Sequence, residues 1–179
     1  MPTITPSDLP SVALLRKFQN GHDFTDHYCT DIDGDIPLAT FVTAFYTTPL
    51  FRLERFILTW LVRRPSRDEG ARAFATGAAE RFAAWQVEAR TDHQLLAAAG
   101  RTRSWFMVEP VAMAGGVATR LHFGSAVVAR HRAEGGKPAL GVVFHALLGF
   151  HKLYSQALLR AARSRLIRAR RNFSAHEVS

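Results

Sequence analysis

Hydrophobic positions recur with a period of two between residues 82 and 130, and with the period of a helix before and after that stretch. The clearest alternation is at its end, where Val117, Leu121, Phe123, Val127 and Ala129 fall on one face and Arg120, His122 and Arg130 on the other. Strands are expected over 82–90, 94–102, 104–113 and 117–130. The polar break Thr91-Asp92-His93 and the pair Gly115-Gly116 suit hairpin turns. A weaker alternation over 22–29 sets Phe24, Asp26 and Tyr28 against His27 and Cys29 and predicts one more strand.

Helical spacing appears three times before the sheet. Phe41, Ala44 and Phe45 share one side of a helix over 38–47, preceded by Pro37. Leu53, Phe56, Ile57 and Trp60 define a second over 51–63, which Pro65 ends. Ser66 and Glu69 have capping-box spacing and predict a short third helix through Phe74. After the loop 133–138, a helix over 139–171 would extend about 50 Å at ~1.5 Å per residue, more than one small sheet can cover, so its basic half over 159–171 is expected to project beyond the sheet. Helices segregated from an antiparallel sheet indicate an α+β domain. The chain reads as one domain, with a loosely ordered lead-in over 1–20 and a tail over 172–179.

Composition changes little in this picture. The 179 residues are 47% hydrophobic and 21% charged, ordinary for a globular domain. The single cysteine, Cys29, excludes an internal disulfide. With no signal-peptide pattern at the start, this favours a reducing, cytoplasmic location. No apolar stretch approaches the ~20 residues of a membrane span. Charge is more informative once it is located. Of the net +8, the C-terminal 28 residues carry +6, which leaves +2 for residues 1–151. Lys152, Arg160, Arg163, Arg165, Arg168, Arg170 and Arg171 supply it. A nearly neutral body argues against sequence-specific DNA recognition. The basic helix end suits a homodimer contact, a partner chain or peripheral contact with an anionic membrane surface.

The order strand, short helices, sheet, long helix resembles the helix-grip fold of the START and polyketide-cyclase-like superfamily. The stretches Gly100-Arg-Thr-Arg-Ser-Trp105, Thr119-Arg-Leu-His-Phe-Gly-Ser125 and Phe144-His-Ala-Leu-Leu-Gly-Phe-His-Lys-Leu-Tyr154 are similar to an uncharacterised bacterial family of that superfamily. The resemblance implies a curved antiparallel sheet packed on a long C-terminal helix, with two or three short helices after the first strand. It also implies a cavity between sheet and helix, and it transfers no reaction.

Phe144, Leu147, Leu148, His151, Ser155 and Leu158 follow helical spacing and place His151 and Ser155 on the apolar side of the last helix. A core histidine satisfied by a neighbour is the commoner outcome; a ligand-contacting or acid/base histidine is the sharper one. Trp85, Trp105, Glu88 and Glu109 lie on expected strands, with Trp85 and Glu88 on opposite faces and Trp105 and Glu109 on the same one. The expected cavity residues are thus His151, Ser155, Trp85, Trp105, Glu109, Phe144 and Leu148. Acidic residues are seldom buried, so solvated carboxylates are the default.

No cofactor or metal is expected. Asp31, Asp33 and Asp35 fail the calcium-loop pattern, because glycine falls at the fourth loop position and Val42 at the twelfth. Neither zinc-ligand spacing nor a phosphate-binding glycine loop is present. Three readings follow: binding of a small apolar or amphipathic molecule, a cyclase- or dehydratase-like enzyme using a cavity histidine and carboxylate, and an interaction protein using the basic helix for a partner, a membrane surface or, less expected, nucleic acid.

Overall fold

The computed structural model describes residues 4–19, 21–52, 67–113, 116–129 and 142–176; of 142–151 and 173–176 it describes the backbone only. The chain is α+β. A curved, seven-stranded antiparallel sheet carries helices on one face, a helix-grip-like arrangement. In chain order the strands are β1 (Thr5–Pro6), β2 (Phe24–Asp33), β3 (Arg81–Phe82), β4 (Trp85–Arg90), β5 (Gln94–Ala99), β6 (Thr102–Met113) and β7 (Gly116–Val127). Their spatial order is β1-β2-β7-β6-β5-β4-β3, so the meander that starts at β3 returns to close against β2. Helices α1 (Leu38–Tyr46) and α2 (Asp68–Thr76) lie between β2 and β3 in sequence, and α3 (Val142–His176) follows the sheet.

Five strands were expected. The two additional ones are two-residue pieces, β1 in the supposed lead-in and β3 at the start of the strand expected over 82–90. Strand β2 runs to Asp33, so Asp31 and Asp33 belong to the ladder and the turn begins at Gly34, at φ 84°. Thr119 fixes that turn by donating its hydroxyl to the Gly34 carbonyl (2.7 Å) and accepting the Ile36 N–H (3.0 Å). Of the helix expected over 51–63, only the start lies in the described residues, and residues 49–52 are helical. The Thr48 hydroxyl accepts the Phe51 N–H (3.2 Å), the N-cap bond that satisfies an otherwise orphaned donor. Ser66 lies outside the described residues. Asp68 and Glu69 occupy the first turn of α2, where the helix dipole favours them. Gly77 at φ 84° ends that helix, and Arg90 reaches across from β4 to donate to the Phe74 and Ala75 carbonyls.

The face toward the helices is aromatic. Phe45 packs on Phe106 and Phe123 with ring centres 4.8 and 4.6 Å apart. Tyr46 meets Phe51, Phe74, Phe82 and Trp85. Leu158, Leu159, Ala162 and Leu166 of α3 join this core. The basic half of α3 was expected to project beyond the sheet. Its burial through Leu166 corrects that expectation, because the turns that carry the arginines also carry core leucines.

The opposite face is covered as well, which the expectation of a loose lead-in did not anticipate. Residues 7–19 cross it, with a 3₁₀ turn over Leu14–Phe18. Leu9, Ala13 and Leu15 are buried there against Leu96, Trp105, Met107 and Ala126. Gly124 makes the close approach workable: a Cβ at that position would lie 2.8 Å from Leu15 and 2.9 Å from the Asp26 carbonyl oxygen.

Candidate functional site

Period-two geometry sends alternate residues of β2, β6 and β7 to opposite faces and so builds two polar clusters. On the helix side, Asp26 pairs in register with Ser125, and Tyr28 with Phe123. Asp26 Oδ1 accepts both the Ser125 hydroxyl and the Ser125 N–H (3.1 Å). The Tyr28 hydroxyl is hydrogen-bonded to Gln156 of α3, and burial pushes its pKa up, more strongly than that bond lowers it. Ser155 of α3 and Ser104 of β6 are buried. The Thr30 hydroxyl, on the same face, is buried with no partner among the described residues. An unpaired buried hydroxyl costs about 1–3 kcal/mol.

On the other face, His27 and His122 stack with ring centres 5.2 Å apart and planes 14° from parallel. Both are buried, and Trp105 closes one side with its ring 5.5 Å from His27. A continuous chain of contacts runs through them. His27 Nδ1 meets the Ser7 carbonyl at 3.0 Å, His27 Nε2 meets His122 Nδ1 at 3.0 Å, and His122 Nε2 meets Glu109 Oε2 at 3.2 Å. Three links require three protons, whereas two neutral imidazoles and a carboxylate hold only two.

Burial lowers the pKa of both rings, and His27 beside it helps push His122 down to about 4. At neutral pH the pair is therefore uncharged and one link lacks its proton. The link to Glu109 lies at the rim, where that side chain is 46% exposed.

Gln94 completes the outer cluster. Its oxygen accepts the Leu14 N–H (3.0 Å) and Trp105 Nε1–H (2.9 Å), and its amide donates to the Val12 carbonyl (3.0 Å). Glu88 binds Lys17 and Arg103 at the margin. Burial raises its pKa, but the two cations outweigh that and hold it below the usual carboxylate range. These groups fasten the N-terminal segment to the sheet.

The residues expected to line one cavity are thus divided. Trp85 and Ser155 face the helix side, where Trp85 is packed against Tyr46 and Phe51. Trp105 and Glu109 share a face, as alternation predicts, but it is the face under residues 7–19. The side chains of His151, Phe144 and Leu148 lie outside the described residues. Glu88 and Glu109 both stand on the side of the sheet away from α3, which separates them from any side chain that this helix turns toward the sheet. Asp26, Tyr28, Ser125, Gln156, His27, His122 and Gln94 were not singled out in the sequence. Alternation over 22–29 does place Asp26 with Tyr28 and His27 with Cys29, and that was the available signal.

Among the described residues, no group of three or more His, Cys, Asp or Glu is arranged to hold a metal ion, and no helix is long and apolar enough to cross a membrane. Comparison of the chain with protein-family models, curated proteins and solved structures found no match.

Proposed function

We propose that this chain binds a small amphipathic molecule between the sheet and α3, with the polar end of the ligand at Asp26, Ser125, Tyr28 and Gln156. The observation that carries this reading is the division of the inner face. Under α1 the space is filled by interlocked rings of Phe41, Phe45, Phe106 and Phe123. Toward the start of β2 the same face carries a carboxylate, a phenol, an amide and several hydroxyls, on strands flanked by apolar residues. Apolar walls with a few convergent polar groups are the usual composition of a small-molecule site. A half-buried carboxylate favours a ligand end that donates hydrogen bonds, such as an amine or hydroxyl.

Native mass spectrometry of the purified protein tests this, with added medium-chain alkylamines, fatty alcohols and small aromatic amines. A saturable one-to-one adduct is expected, weakened about tenfold or more by Asp26→Asn, the effect of losing a charge-assisted bond. A wild-type protein that carries and accepts none of these compounds would sink the proposal.

A further inference from the structure

A second site lies at the far end of α3, apart from the proposed ligand space. There the helix and the end of β2 enclose an open cleft of about 570 Å³ lined by Ile32, Asp33, Arg163, Ile167, Arg170 and Arg171. We propose that this cleft binds a small molecule carrying a phosphate-type dianion next to an apolar group.

The argument starts at the sheet edge. Among the described residues, β1 pairs only with Tyr28 and Cys29, and none forms a strand beside β2 from Asp31 to Asp33 on that side. Two arginines of α3 meet the carbonyls of this free stretch. Arg163 Nε donates to the Asp31 carbonyl at 3.0 Å, and Arg170 donates to the Asp33 carbonyl. Gly34 permits the second contact, since a Cβ there would lie 2.2 Å from the Arg170 guanidinium, and its φ of +84° favours glycine independently.

Blunting an open edge is a sufficient reason for Arg163 and Arg170. It does not explain Arg171, which follows directly in the same cleft and has no partner among the described residues. Each guanidinium has five N–H donors in a planar fork suited to phosphate oxygens. The bond from Arg163 to the Asp31 carbonyl occupies one donor and fixes the orientation of the rest, so less ordering remains to be done when an anion arrives. Three guanidiniums against the Asp33 carboxylate leave the lining at a net charge of +2. The cleft is larger than a phosphate needs, and Ile32 and Ile167 offer an apolar wall for the remainder of the ligand.

Calorimetry at constant ionic strength with phenyl phosphate, inorganic phosphate and phenol tests the site. Phenyl phosphate should bind saturably, inorganic phosphate more weakly and phenol not at all. Arg171→Ala should weaken binding about tenfold, as expected for losing a charge-assisted bond. Arg168→Ala removes an equal charge from an exposed position outside the cleft and should change affinity less than twofold. Arg163→Ala should weaken binding as well; because it also frees the sheet edge, a melting curve accompanies it, and the exposed Arg171 variant stands as the independent arm.

Sedimentation with phosphatidic acid and phosphatidylcholine vesicles distinguishes the source. Capture by the acidic vesicles, reversed by phenyl phosphate, identifies a lipid headgroup, and phenyl phosphate binding without capture identifies a soluble ligand. No saturable binding in either format, or equal losses in the Arg168 and Arg171 variants, overturns the proposal.

Discussion

On the helix side of the sheet, Phe106 is ringed by Phe41, Phe45, Tyr46 and Phe123; one residue earlier in the chain, Trp105 is ringed by His27, His122 and Gln94 on the other side. Both side chains are fully buried. The inner residue is held by apolar area, which is insensitive to pH. The outer one is held under a strap of backbone fastened by hydrogen bonds, and two of the fasteners titrate. Equal burial therefore confers different kinds of stability: the inner face should unfold only with the whole domain, while the outer cover should open by itself and more readily in acid.

The largest contrast comes from the inner face. Phe106→Ala should lower global stability by about 3–5 kcal/mol, read from the urea midpoint with an unchanged slope. A loss below about 1 kcal/mol would mean that the aromatic half of the core is loosely packed.

Next is the effect of pH. Opening of residues 7–19 returns His27 and His122 to water, where their pKa values recover toward 6.5. Both closed-state values are lowered, so the closed cover is favoured above pH 6.5, and that advantage is lost as the pH falls toward about 4. The full change corresponds to roughly 3 kcal/mol. Hydrogen exchange at the Leu14 amide, corrected for intrinsic rate, should show opening rise about tenfold per pH unit below 6.5. That dependence should weaken in His122→Phe and disappear only when His27 is replaced as well. Nitrogen shifts of the wild-type imidazoles should show both rings neutral at about pH 7, and an imidazolium at either position would contradict the account.

A smaller effect is expected at Gly124. Gly124→Ala drives a methyl into Leu15 and the Asp26 carbonyl and should cost about 1–3 kcal/mol. The loss should appear mainly as faster exchange in residues 7–19. The smallest effect is at the exposed ion pair of Arg120 with Asp31, at 2.8 and 3.0 Å. Arg120 holds the Asp31 carboxyl below its ordinary pKa, yet the side chains are 40% and 35% exposed. Arg120→Ala should change stability by less than about 1 kcal/mol.

Much of this fold was legible in the sequence. Period-two spacing located the core of every long strand, and helical spacing located α1 and α3, because each presents one apolar face to the same interior. The cover on the outer face was less legible. In β7, His122 alternates with core residues as a solvated residue would, and nothing local reveals that residues 7–19 lie across it. The signal was in β6 instead: Trp105-Phe106-Met107-Val108 is an unbroken bulky apolar run, the mark of a strand buried on both faces. The split of Trp85 from Trp105 and Glu109 required knowing which face the helices take, and alternation alone leaves that choice open. Hydrogen bonds between elements distant in sequence, such as His27 to His122 or Tyr28 to Gln156, carry no local signature at all.

The central claim is that the ligand site belongs to the polar end of the helix-facing surface and not to the covered outer face. Chemical-shift mapping during titration with a medium-chain alkylamine tests it most directly. Saturable shifts at Asp26, Tyr28, Ser125, Ser155 and Gln156, with Gln94, the Trp105 indole and the Leu14 amide unmoved, are the predicted result. Shifts confined to the outer group, or none in either, would contradict the account.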